Sequence, residues 1–153
     1  MTPLPPQSHM QAALAEAEAA QARGEVPIGA VVVDAGGRIL AQAGNRTREL
    51  GDPTAHAEML AIRAACKALG SERLTGSDLY VTLEPCPMCA AAVSFARIRR
   101  LYFGAPDPKG GGVEHGPRIF NQPTCHHAPQ VYGGIEETRA GDLLRAFFSA
   151  RRG

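Results

Sequence analysis

Two short clusters constrain this chain more than any other feature: His56-Ala57-Glu58, and Cys86 with Cys89 inside EPCPMC. Either cluster alone is a weak signal. Together they supply one imidazole and two thiolates that can converge on a zinc ion, with a carboxylate beside it. Cys86 and Cys89 are three residues apart, so one helical turn puts both sulfurs on one side. At a helix N-terminus the dipole and the unpaired N–H groups favour thiolates. His56 and Glu58 are two apart and would diverge on a regular helix. They converge only if His56 stands at the start of its helix, where Pro53-Thr54 place it.

Three protein ligands leave tetrahedral zinc one open position, the mark of a catalytic site. Water at such a position loses a proton near neutral pH. Two thiolates already neutralise the ion, so Glu58 reads as a proton carrier rather than a ligand. The competing reading is a closed structural site completed by Cys125, His126, His127 or His115. Structural sites usually come as two close ligand pairs, whereas here a lone His accompanies one C-x-x-C. A redox dithiol is a further reading of Cys86 and Cys89, but no thioredoxin-like pattern surrounds them. Cys66 lies in an apolar helical stretch and reads as a buried, inert thiol. Cys125-His126-His127 reads as a solvated or locally hydrogen-bonded loop.

The rest of the chain has the composition of one globular domain over 1–153, with residues 1–7 expected to be disordered. Of its 153 residues, 44% are hydrophobic and 20% charged, which excludes a disordered class. No apolar run approaches the roughly 20 residues that cross a bilayer. The start, MTPLPPQSHMQ, lacks the basic flank and apolar stretch of a signal peptide. A cytoplasmic protein without disulfides or membrane contact is the expectation. The net charge of +1 argues at first against a nucleic-acid partner. Its distribution removes that objection. Residues 1–96 carry 7 basic and 10 acidic groups, and residues 97–153 carry 9 basic and 5 acidic. The basic final third suits a local contact with a few phosphates.

The pattern predicts a helix over about 9–23 capped by Ser8 and ended by Gly24, then a strand from Val26 to Asp34 buried on both faces. Gly36-Gly37 turns it into a second strand, Arg38 to Ala43. Asn45 to Pro53 reads as a polar loop, and Thr54 as the cap of a helix over 55–69. A strand from Asp78 to Leu83, a helix from Pro87 to Ala96 and a strand from Arg99 to Gly104 follow. Residues 105–128 show no period, and a loop that long is usually functional or mobile. A short strand from Gln130 to Ile135 and a helix from Thr138 to Arg152 close the chain. This order implies a sheet covered on both faces, with parallel pairing beside an antiparallel hairpin.

H-x-E followed by P-C-x-x-C resembles the known signature of the zinc-dependent deaminases, the cytidine/deoxycytidylate deaminase-like superfamily. The stretches GEVPIGAVVV, AGNRTRE, DPTAHAEMLAIR, LYVTLEPCPMCAAAVSFARIRRLYFGA and FFSARR resemble its bacterial branch that acts on adenosine in tRNA. The likeness runs from about residue 8 to 152. It implies a three-layer α/β/α fold with a five-stranded mixed sheet, a homodimer, and hydrolysis of adenosine to inosine at the wobble position of a tRNA anticodon stem-loop. It also implies that His56, Cys86 and Cys89 hold one zinc ion per subunit and that Glu58 is the general acid/base. Asn45 matches a residue that hydrogen-bonds the flipped base, Val26 and Pro27 a pocket wall, and the backbone of Ala57 and of the 84–86 turn groups that orient water and base. Asp107 matches a contact to the nucleotide backbone. Phe147, Phe148, Arg151 and Arg152 match a helix that meets the anticodon loop. The stretch GGGVEHGPRIFNQPTCHHAPQ departs from the best-known members.

Read without the likeness, Phe147 follows Leu143 and Leu144 at helical spacing and should pack inward, leaving Phe148 to meet a base. Arg151-Arg152 can equally be a solvated helix end, Asn45 an ordinary turn residue, and Asp107, before Pro108, a turn former. Two rival functions share these features. One is a deaminase of free bases or nucleosides, such as guanine or cytosine. The other is a non-catalytic, zinc-stabilised RNA-binding module, for which an intact Glu58 has no use.

Overall fold

The computed structural model describes residues 6–152, with side chains over 8–151. Helix α1 (Pro6–Ala22) is followed by strands β1 (Gly29–Val33) and β2 (Ile39–Gly44), and by a one-turn helix α2 (Thr47–Leu50). Helix α3 (Ala57–Leu69), strand β3 (Asp78–Leu83), helix α4 (Pro87–Phe95) and strand β4 (Arg100–Ala105) form the centre. A short 3₁₀ turn (Ile119–Asn121), strand β5 (Gln130–Tyr132) and helix α5 (Glu137–Arg152) complete the chain.

The five strands form one sheet in the order β2-β1-β3-β4-β5. β1 runs antiparallel to both β2 and β3, while β3, β4 and β5 are parallel. The mixed sheet is the expected one. All five residues of β1 are buried. Alternation along the strands explains how both faces are covered. Ala30, Val32, Leu79, Val81, Leu101 and Phe103 face α3 and α4. Val31, Val33 and Tyr80 face α1 and α5. Helix α1 lies very close to β1: a Cβ on Gly29 would fall 1.9 Å from the Ala13 carbonyl oxygen, so only glycine fits there.

Five expectations change, the plainest being that the last strand ends at Tyr132 and not at Ile135. The first strand begins at Gly29, not Val26, because Pro27 has no N–H and the Ile28 N–H closes a tight turn onto the Val26 carbonyl, 2.8 Å. The first helix begins at Pro6, so Ser8 lies inside it, residues 6 and 7 are helical, and residues 1–5 of the expected loose start lie outside the described residues. The 45–53 loop contains α2, ended by Gly51 at φ 57°. Thr54 does not cap α3: its N–H and hydroxyl both donate to Asp52 Oδ1, at 2.8 and 2.7 Å, and His56 is the N-cap.

Candidate active site

The parallel strand β3 ends where α4 begins, and α3 starts beside it, so both helix starts reach the carboxyl end of the central strands. His56 is the N-cap of α3 with extended backbone (φ −72°, ψ 153°), and Cys86 the N-cap of α4 (φ −69°, ψ 171°). Neither side chain caps its own helix. Both turn toward a common point instead. Pro87 fits the first turn of α4, where its missing N–H leaves no bond unmade. One turn on, Cys89 brings its sulfur to the same side.

His56 Nδ1 lies 3.6 Å from Cys86 Sγ and 3.5 Å from Cys89 Sγ. Tetrahedral zinc with ordinary Zn–N and Zn–S bonds sets that separation at about 3.6 Å. The three side chains therefore fit a zinc ion. Among the described residues they are the one group of three ligand-type side chains whose ligand atoms lie within 4.8 Å of one another. Three of the four candidate fourth ligands are engaged elsewhere, and His126 is exposed. Cys125 Sγ donates to the His127 carbonyl (3.2 Å), and His127 Nε2 to the Ile98 carbonyl (2.7 Å). His115 Nδ1 donates to Glu84 (2.8 Å). All four cysteines are free thiols; Cys66 is only half-buried, because α3 turns it toward the rim of the core.

The cradle is ready to lose protons. A hydrogen bond from the Cys89 thiol lowers the Cys86 pKa to about 4, against the opposing effect of burial and with help from His56. The Cys86 thiolate in turn raises the His56 imidazole and, with burial, pushes Cys89 up. A dication at the centre would displace that last thiol proton. Glu58 is the second residue of α3 and 4% exposed. Burial pushes its carboxyl up to about 7. A carboxyl poised there can both take and give a proton near neutral pH.

The remaining expected residues fall in two groups. Asn45, Pro27 and Ala57 are buried and Val26 half-buried. Asn45 is held by its neighbours: Nδ2 donates to Thr47 Oγ1 (3.2 Å) and Glu25 Oε1 (3.5 Å), and Arg23 Nη2 donates to its carbonyl (3.2 Å). Asp107 and Phe148 line one cavity of about 440 Å³ between the end of β4 and α5, with Leu83, Thr138 and Arg145. Phe147 is buried and Phe148 44% exposed, as the helical spacing predicts. Arg151 is turned back on the protein. Its guanidinium donates to the Gly24 carbonyl (2.9 Å) and stacks 4.3 Å over Phe147. The side chain of Arg152 lies outside the described residues.

Sequence reasoning missed two buried carboxylates. Glu25 Oε1 accepts from the Arg48 N–H (3.1 Å) and Oε2 from the Glu49 N–H (2.7 Å), so a residue far back in the chain caps α2. Glu84 accepts four backbone N–H groups and one imidazole from residues 107–115. The available signal for Glu84 was a lone acidic residue directly after an apolar strand, without a basic neighbour in sequence.

The chain belongs to the cytidine and deoxycytidylate deaminases: the profile of that family's zinc-binding region matches residues 5–105. The ion implied by the cradle is therefore zinc. Within the family, the chain is 66% identical over 143 residues to the tRNA-specific adenosine deaminase of Agrobacterium fabrum, covering 94% of this chain and 93% of that one. It is 47% identical over 144 residues to the tRNA-specific adenosine deaminase of Bacillus subtilis, covering 94% and 89%. A solved structure from a study of A-to-I editing by tRNA:A34 deaminases at the wobble position superposes with a TM-score of 0.88 at 66% identity, covering 90% of this chain and 99% of that chain.

Proposed function

We propose that this protein is a zinc-dependent hydrolase that deaminates adenosine to inosine at the wobble position of tRNA. The observation that carries the reaction is the His56, Cys86 and Cys89 cradle with buried Glu58 two residues from its imidazole ligand. The tRNA-specific relatives supply the substrate class.

Bound zinc would acidify a water for attack on C6 of adenine. Glu58 takes one proton from that water and passes it to N1, then takes the proton of the new C6 hydroxyl and gives it to the amine. The C6–N bond breaks, C6 keeps the oxygen, and ammonia leaves. Asn45, Val26, Pro27 and the Ala57 backbone receive the flipped base. Asp107 and Phe148, which line one cavity, receive the neighbouring nucleotides, with Arg151 and Arg152 at the end of the helix that carries Phe148. Loop bases of the anticodon can be splayed and stacked in this way. A homodimer is part of the proposal: Phe95 on α4 is 72% exposed, an apolar ring that a second copy would cover. No helix among the described residues is long and apolar enough to cross a membrane, and the cytoplasm is the proposed compartment.

The deciding experiment offers the purified protein a tRNA bearing wobble adenosine and, in separate reactions, free adenosine, guanine and cytosine. Inosine should form at the wobble position alone. Turnover of a free base or nucleoside with the tRNA left intact would overturn the substrate assignment.

A further inference from the structure

The glycine-rich segment after β4 is built around Glu84. This side chain has no solvent exposure, and all its hydrogen bonds go to residues 107–115. Oε2 accepts three successive backbone N–H groups, from Val113 (3.2 Å), Glu114 (3.0 Å) and His115 (3.1 Å). Oε1 accepts the Asp107 N–H (3.0 Å) and His115 Nδ1 (2.8 Å). Successive N–H groups converging on one anionic oxygen form a nest, and here the protein supplies the anion itself. The fit leaves no room for side chains. A Cβ on Gly111 would lie 2.3 Å from Glu84 Oε2, and one on Gly112 would lie 2.6 Å from the Pro87 nitrogen.

We infer that the Glu84–His115 pair is a positioning device that sets Asp107 for the RNA. Asp107 N and His115 Nδ1 end on the same oxygen, so the imidazole fixes the direction in which Oε1 faces Asp107. The Asp107 carboxylate is then oriented locally, Oδ1 accepting from the Lys109 N–H (3.2 Å) and the Gly110 N–H (3.0 Å). Among the described residues no hydrogen bond ends on Oδ2, which is left for a ligand. His115 is half-buried and stands outside the metal cradle, so its side chain can be changed without removing a ligand. The inference rests on the proposed contact between Asp107 and the nucleotide backbone.

The test uses zinc-loaded protein and an anticodon stem-loop with wobble adenosine. His115→Ala should raise KM about three- to tenfold while zinc content and the single-turnover rate at saturating RNA stay at the starting values. His115→Asn, whose amide N–H stands in for Nδ1–H, should return KM to within about twofold. In an Asp107→Ala background, His115→Ala should change KM by less than about twofold, because the two act through one contact. An unchanged KM in His115→Ala, an additive effect in the double variant, or a loss of zinc or of the saturated rate would each overturn the device while leaving the Asp107 contact standing. An unchanged KM in Asp107→Ala would overturn that contact, and the device with it.

Discussion

Glu25→Gln is a sharp perturbation because it changes one atom in a site with no slack. Glu25 is 1% exposed, and its two oxygens accept the Arg48 and Glu49 N–H groups, the first free donors of α2, together with Asn45 Nδ2. Glutamine keeps one acceptor oxygen. Its NH₂ group must then face at least one N–H donor. A charge-assisted hydrogen bond is worth about 1.5–3 kcal/mol, and an ordinary N-cap about 1 kcal/mol. Solvent screens little of this at full burial. The expected destabilisation is about 2–3 kcal/mol, or a Tm lower by about 4–12 °C at this chain length. Far-UV circular dichroism melts of the zinc-loaded protein measure it. Asn45 loses one of its supports in the same step, so kcat/KM for the stem-loop should fall several-fold. A variant within about 1 °C of the starting Tm, with unchanged kcat/KM, would refute the assignment of Glu25 as the shared anchor of α2 and Asn45.

Glu58→Ala should retain zinc, measured by metal analysis, while inosine formation falls by about 10²–10⁴; near-normal turnover would remove Glu58 from the chemistry. Gly112→Ala would place a Cβ within 2.9 Å of three backbone atoms of Cys86 and Pro87, so urea unfolding should show a loss of about 1–3 kcal/mol, and a competing chelator should win zinc more easily. Burial pushes His9 below its ordinary 6.5, the Asp78 carboxylate offsetting part of this. The unfolded chain therefore gains that proton first, and the contribution of His9 to stability is complete above pH 6.5 and falls as the pH drops below it. Urea midpoints at about pH 8 and about pH 5.5 should fall less in His9→Gln than in the parent; equal losses would refute it.

The sheet and the metal cradle were legible because their signals are local. β1 and β3 are apolar along almost their whole length, α4 opens on Pro87, and the C-x-x-C spacing matches one helical turn. The same kind of argument places His56 at a helix start, although His56 itself, and not Thr54, is the cap. What escaped was set by distant partners. Helix α2 is too short to leave a period, and its cap is Glu25, more than twenty residues earlier. The 105–128 stretch looked structureless because the group that organises it, Glu84, lies on the far side of α4 and β4 in sequence. The sequence offers Arg151 to RNA or to solvent, and only the fold reveals that the Gly24 carbonyl and the Phe147 ring also hold it.

The Glu84 nest also orders events in folding. Its carboxylate reaches the loop only after β3 and β4 have paired in parallel, a non-local step that is slow by its nature. Residues 107–116 are then expected to close late, after the strands. By the same reasoning they are expected to open before the sheet, since releasing them breaks the bonds to Glu84 and the Gly112 bond to the Pro85 carbonyl and withdraws only Val113 from the core, while the strands stay paired. Amide hydrogens of Val113, Glu114 and His115 should exchange together, well before those of β3. The rim proposed to meet substrate would then loosen and reseal many times during the life of a core that stays folded.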